Sequence, residues 1–222
     1  MILGDSHAID LFGVVASNFD NPFIIGVAQG GCRPHTNYSY CHYDAVQEFI
    51  ENHPKIFNLV IYEQAGFYLL QERDGTAGSR QMFSDIKIDG KVEPRIVDAA
   101  HVQSTAKFLA KISETVPVRW FLPRAEPHIS MRTVLKYGCD HAYTYRTNQR
   151  DSFEKLDDYI EQHIAEAAPH KIRTVRQNRI FGFNFPSDFM NCHTIYWSDG
   201  DHFSAAGEKR FGERLPKSFL TP

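Results

Sequence analysis

The apolar residues of this chain fall into two alternating patterns. Short unbroken runs read as strands: "MIL" at the start, "FIIGVA" (Phe23 to Ala28), "FNLVIYEQ" (Phe57 to Gln64), "VRWFLP" (Val118 to Pro123) and "KIRTV" (Lys171 to Val175). The third of these is apolar and β-branched without alternation, the pattern of a strand buried on both faces. Between the runs lie stretches with helical spacing. "HAIDLFGVVASNF" sets Ile9, Phe12, Val15 and Ala16 on one face, and Ala45 to His53, Val97 to Thr115, "DSFEKLDDYIEQHIAEAA" (Asp151 to Ala168) and "SAAGEKRFGERL" (Ser204 to Leu215) follow. Strand and helix in alternation predict an α/β fold, a mostly parallel sheet covered on both faces. Between Gly66 and Glu93 the periodicity fades, and "KIDGKVE" holds an Asp-Gly pair suited to a tight hairpin. Residues 66–95 therefore read as an insertion in a single domain spanning 1–222.

Composition narrows the class. With 222 residues, 42% hydrophobic and 23% charged, the chain can bury one substantial core. A net charge of -3 gives no global attraction to nucleic acid. No apolar run approaches the roughly 20 residues needed to cross a bilayer, and no basic stretch with an apolar segment opens the chain. Only Met1, Ile2 and Leu3 precede Gly4, whereas an ordinary strand has about 5 or 6 residues, so the expectation is a piece of a longer polypeptide. Cys32, Cys41, Cys139 and Cys192 form no C-x-x-C pair. Cys32 and Cys41 flank the polar stretch "CRPHTNYSYC", whose closure as a disulfide suits an oxidising compartment; unpaired thiols are the alternative.

Chemistry concentrates at the two ends. "LGDSHAIDL" places Asp5, Ser6 and His7 between the first strand and its helix, at the carboxyl edge where ligands of open parallel sheets bind. "YWSDGDHFSAAG" places Asp199 three residues before His202, close enough for the carboxylate to accept from Nδ1 and leave Nε2 free to take a proton from Ser6. Taken singly, the first cluster reads as helix capping and the second as a polar turn, with Asp201 or Ser204 as cap. Asp5 and His7 also have the D-x-H spacing of metallophosphoesterases, but the later Gly-Asn-His block is missing and "ENHPK" around His53 lacks the glycine. His35, His42, His101, His128, His141, His163, His170 and His193 fall into no zinc spacing. Arg124, after Pro123, is expected at the same sheet edge as Ser6, either contacting a carboxylate-bearing sugar or simply solvated. Tyr62, Phe67 and Tyr68 fit buried packing better than a sugar platform.

"GDSH" near the start and "DGDH" near the end resemble the first and last blocks of the SGNH (GDSL-like) hydrolase superfamily. The resemblance implies a three-layer α/β/α sandwich, with Ser6 as nucleophile, His202 as base and Asp199 as its orienting carboxylate. Asp201 falls outside that pattern. The family draws oxyanion donors from a Gly block and an Asn block. "AQGGCRP" resembles the first, implicating Gly31 or Gly30, with Gly31 preferred; the second is missing, and "YEQAGFY" offers Gln64 in its place. "GDSHA", "GGCRP" and "YWSDGDHFSAAG" are similar to SGNH domains attached to integral-membrane acyltransferases that O-acetylate bacterial surface polysaccharides. Those domains lie outside the cytoplasmic membrane and commonly contain disulfides. The implied partners are an acyl donor, a carbohydrate acceptor and a membrane acyltransferase domain in the same chain, with no nucleic acid and no metal or organic cofactor. Stand-alone esterases of the same fold, and a non-catalytic carbohydrate-binding remnant, are the competing readings.

Overall fold

The computed structural model describes residues 1–20, 23–167 and 171–221. Ala168 and His170, named above, lie outside the described residues. In chain order the elements are β1 (Ile2–Gly4), α1 (Ser6–Asn18), β2 (Gly26–Ala28), α2 (Tyr43–Asn52), β3 (Val60–Glu63), β4 (Leu70–Gln71), α3 (Gln81–Ser84) and β5 (Ile96–Val97). They continue with α4 (Ala99–Ile112), β6 (Val118–Leu122), α5 (Met131–Tyr137), α6 (Gln149–Ala167), β7 (Ile172–Arg176), α7 (Gln177–Phe181) and α8 (Ala205–Gly212).

Five strands form one parallel sheet in the order β2-β1-β3-β6-β7. Side chains alternate across it. Leu3, Val60, Tyr62, Trp120 and Leu122 pack with Ile50 of α2, Val102, Ala106 and Leu109 of α4, and Phe153 and Ile160 of α6. Ile2, Ile61 and Phe121 pack on the opposite face with Leu11, Val14 and Val15 of α1, Phe181 of α7 and Phe211 of α8. The result is the three-layer α/β/α sandwich. Because β2 and β3 lie on opposite sides of β1, the chain reverses direction across the sheet at β1 and β3, which opens a crevice at their carboxyl ends. The sheet is tight here: a Cβ on Gly4 would stand 1.7 Å from the Glu63 carbonyl oxygen.

Two expectations are corrected. The buried face of α1 is Ala8, Leu11, Val14 and Val15, with Ile9 exposed, because the sheet and α8 cover a stripe rotated from the one that Ile9, Phe12 and Ala16 would form. The hairpin belongs to Asp74-Gly75, where Glu72 N–H donates to the Thr76 carbonyl; Asp89-Gly90 only turns the chain so that Val92 can donate to Thr147. Residues 66–95 carry Phe67, Leu69, Leu70, Met82, Phe83 and Val92 into the main core. Cys32 pairs with Cys41 and Cys139 with Cys192.

Candidate active site

Ser6 is the first residue of α1, directly beyond the tip of β1. Asp5 caps the helix, its carboxylate accepting from His7 N–H at 3.0 Å. The same carboxylate accepts from Ala65 N–H, just past β3, and faces Arg33 Nη1 at 3.5 Å, so three loops are tied around the nucleophile candidate. Arg33 lies over the ring of Tyr68, 3.5 Å from its centroid, while Tyr62 and Phe67 are buried as expected. Beside this knot, Gln29 N–H donates to the Gly4 carbonyl and Cys32 N–H to the Gln29 carbonyl. Gly31, at φ +79°, takes the third position of that turn, a conformation for which glycine is suited.

The loop before α8 brings Asp199 and His202 together. His202 Nδ1 lies 3.0 and 3.1 Å from the two Asp199 oxygens, and the Asp199 carboxylate also accepts from His202 N–H at 3.0 Å. Asp201 Oδ1 stands 3.4 Å from the same Nδ1. Burial works against charge on His202, but the hydrogen bonds to Asp199 and Asp201 outweigh it and raise its pKa to about 10. Burial opposes charge on Asp199 as well, yet its bond to His202 holds it well below the usual carboxylate range. His202 Nε2 is buried without a hydrogen-bond partner, and no bond joins it to Ser6 Oγ among the described residues. The neighbour of Ser6 meets it instead: the His7 and His202 rings are edge-to-face with centroids 5.0 Å apart.

Two expected site residues lie elsewhere. Arg124 is neither solvated nor open to substrate. It is fully buried, paired with Glu63 at 2.8 Å and with Asp10, and it donates to the Asp201 carbonyl at 2.9 Å. Asp10 in turn accepts from Phe203 N–H at 3.1 Å, so this buried pair braces the loop that carries Asp199 and His202. Gln64 follows the alternation of β3 onto the α4 face, where its carbonyl oxygen accepts from the Tyr62 and Thr105 hydroxyls; its Nε2 is buried without a partner.

Other residues reach the site unheralded. Arg80, from the irregular segment, donates to the Asp199 carbonyl at 2.8 Å and lies 3.2 Å from Asp199 Oδ2 and 2.7 Å from Asp201 Oδ1. Nothing in its local sequence marked it. His7, Glu126 and His128 form a buried row, with Glu126 oxygens 3.2 Å from His7 Nδ1 and 3.1 Å from His128 Nε2. Polar residues directly after the buried run "VRWFLP" were the available signal for Glu126 and His128. His7, Asp201 and His202 bring one ligating atom each within 4.8 Å of one another. The Arg80 guanidinium already lies against the Asp201 oxygen of that set, which places a positive charge where a cation would bind.

The profile of the family described as "SGNH domain (fused to AT3 domains)" matches residues 1–217. The chain belongs to this family. No curated protein sequence matches the SGNH domain described here. Among solved structures it is similar to the periplasmic domain of a lipopolysaccharide acetyltransferase from Salmonella ser. Paratyphi A, with a TM-score of 0.54 at 12% identity over 96% of this chain and 80% of that one. A lipolytic protein of the G-D-S-L family from Veillonella parvula matches with a TM-score of 0.41, also at 12% identity, over 99% and 97% of the two chains. Membership supports acyl transfer or ester hydrolysis as the class of activity. Among the described residues, no helix of this SGNH domain is long and apolar enough to cross a membrane.

Proposed function

We propose that the domain transfers an acyl group through an acyl-Ser6 intermediate, with His202 as general base and Asp199 as its orienting carboxylate. One observation carries this reading: the Asp199–His202 pair, formed with its Nε2 unpartnered, beside the residue that follows Ser6. Ser6 Oγ attacks an ester carbonyl while His202 Nε2 takes its proton, and the imidazolium is stabilised by Asp199. Backbone N–H groups of Ser6, at the start of α1, and of Gly31, on the adjacent turn, serve the oxyanion. Collapse of the tetrahedral species breaks the bond to the leaving alkoxide, which receives the proton from His202. The base then activates the hydroxyl that receives the acyl group.

The acceptor we infer is a carbohydrate hydroxyl of a bacterial surface polysaccharide, the donor side being supplied by a membrane acyltransferase domain. Supporting this are the fusion to AT3 domains that defines the family and the shared fold with a lipopolysaccharide acetyltransferase domain. Two disulfides, Cys32–Cys41 and Cys139–Cys192, favour an oxidising, extracytoplasmic site of action. The test compares wild type and Ser6→Ala on an activated acetyl ester, with a serine-directed phosphonate as label. Turnover and labelling at Ser6 in the wild type, both lost in Ser6→Ala, are expected; equal inertness of the two proteins contradicts the reading. With a glycan acceptor present, acetylated glycan marks transfer, and free acetate alone marks an esterase.

A further inference from the structure

At the end of β3 the Gln64 carbonyl oxygen is bonded within the α4 layer, while its buried Nε2 has no partner. Ala65 N–H is taken by the Asp5 carboxylate. Next to Ser6, both ring nitrogens of His7, Nδ1 and Nε2, are buried without a hydrogen-bond partner. His7 is 1% exposed, sits in the first turn of α1 next to Ser6, and packs edge-to-face against His202. A ring nitrogen of His7 lies within 4.8 Å of a ring nitrogen of His202 and a carboxylate oxygen of Asp201. A buried imidazole nitrogen without a partner, beside the catalytic pair, calls for a ligand atom.

Resting on the acyl-Ser6 reading, we propose that the His7 side chain is a further oxyanion donor, presenting Nε2–H to the oxygen that becomes negative when Ser6 attacks. The row behind it sets the tautomer. His7 Nδ1 faces Glu126 Oε1 at 3.2 Å, and the other Glu126 oxygen faces His128 Nε2 at 3.1 Å. None of these four atoms meets hydrogen-bond geometry as it stands, and drawing both contacts into hydrogen bonds in one arrangement leaves a proton on His7 Nε2. Glu126 is the neutral acid, its O–H donating to His7 Nδ1, and its second oxygen accepts from His128 Nε2–H. Burial, with Asp201 nearby, pushes the Glu126 carboxyl well above its ordinary range. Burial, reinforced by the Arg124 charge, keeps His7 neutral, and burial with Arg146 lowers His128 to about 3. A neutral imidazole held by its surroundings is an established electrophile for carbonyl oxygen. Glu126 and His128 are positioning residues, acting through His7.

Nitrogen NMR of the His7 imidazole in the wild-type protein tests the tautomer independently of turnover. The Nε2–H form, unchanged across neutral pH, is expected; an Nδ1–H form overturns the proposal, because a bare Nε2 cannot donate. Kinetics on an activated acetyl ester test the role. His7→Phe is expected to lower kcat by roughly 10²–10³-fold with little change in KM, the usual effect of losing one oxyanion donor. His7→Gln, which restores an N–H, should recover part of that loss. Glu126→Gln, whose amide also donates to Nδ1, should retain more activity than Glu126→Leu. A folded His7→Phe protein with wild-type kcat overturns the proposal while leaving the acyl-Ser6 reading intact; a wild type that neither turns over nor labels at Ser6 removes that reading and this one with it.

Discussion

His202 carries more negative surroundings than a lone orienting carboxylate supplies. Asp199 and Asp201 both face Nδ1, and Arg80 lies against both carboxylates. Asp201→Asn removes one of the charges that favour the imidazolium, so the His202 pKa should fall by about one pH unit or more. Arg80→Ala removes the compensating cation and should raise it. Proton NMR titration of His202 checks both signs, and the alkaline-rising limb of kcat/KM should move in step. Stability follows the same proton. The folded-state value is raised from 6.5 to about 10, so the folded chain keeps a proton that the unfolded chain releases. That contribution is fully present below pH 6.5 and disappears as pH rises towards 10. The urea midpoint should fall over this window in the wild type, and less in His202→Asn. At Arg124, replacement by Met would strand Asp10 and Glu63 without their buried partner. Loss of about 3–5 kcal/mol in urea unfolding is expected, the range for breaking a buried pair.

At the scale of elements, β1, β3 and β6 were legible because uninterrupted apolar runs need burial on both faces, and the partly exposed runs of β2 and β7 take the edges of the same sheet. Their ends were less so: the run from Phe23 contributes only Gly26–Ala28 and that from Phe57 only Val60–Glu63. α5 and α7, of 7 and 5 residues, are too short for helical spacing to show. The Asp199–His202 pair was legible because both members sit within one turn of chain. Arg124 was not, since its partners Glu63 and Asp10 are 61 and 114 residues away and only the fold brings them to a buried guanidinium. The layer that Gln64 occupies follows from strand alternation: one residue past Glu63, its side chain belongs to the opposite layer. Loop length also ranks the two disulfides. Cys139–Cys192 spans 53 residues and Cys32–Cys41 spans 9, so chain entropy predicts stabilisation of about 4 and about 3 kcal/mol. Guanidinium melts of the two double-serine variants should show the larger loss for Cys139 and Cys192.

Across the whole molecule, the fold closes the distance between the ends of the chain. β1 lies inside the sheet, α1 packs beside α8 on one face, and the loop entering α8 is pinned to α1 through Asp10 and Phe203. Ser6 and His202 are thereby brought to one sheet edge from opposite ends of 222 residues. The irregular segment closes over that edge through Arg80, which makes it part of the site's frame. The central claim is that Ser6 becomes acylated. It is tested most directly by mixing the protein with an activated acetyl ester, quenching in acid within one turnover and mapping the peptides by mass spectrometry. The account predicts an acetyl group on the peptide containing Ser6, absent in Ser6→Ala and reduced in His202→Asn. Acetate released at the wild-type rate by Ser6→Ala, with no acetyl at Ser6 in any sample, would contradict it.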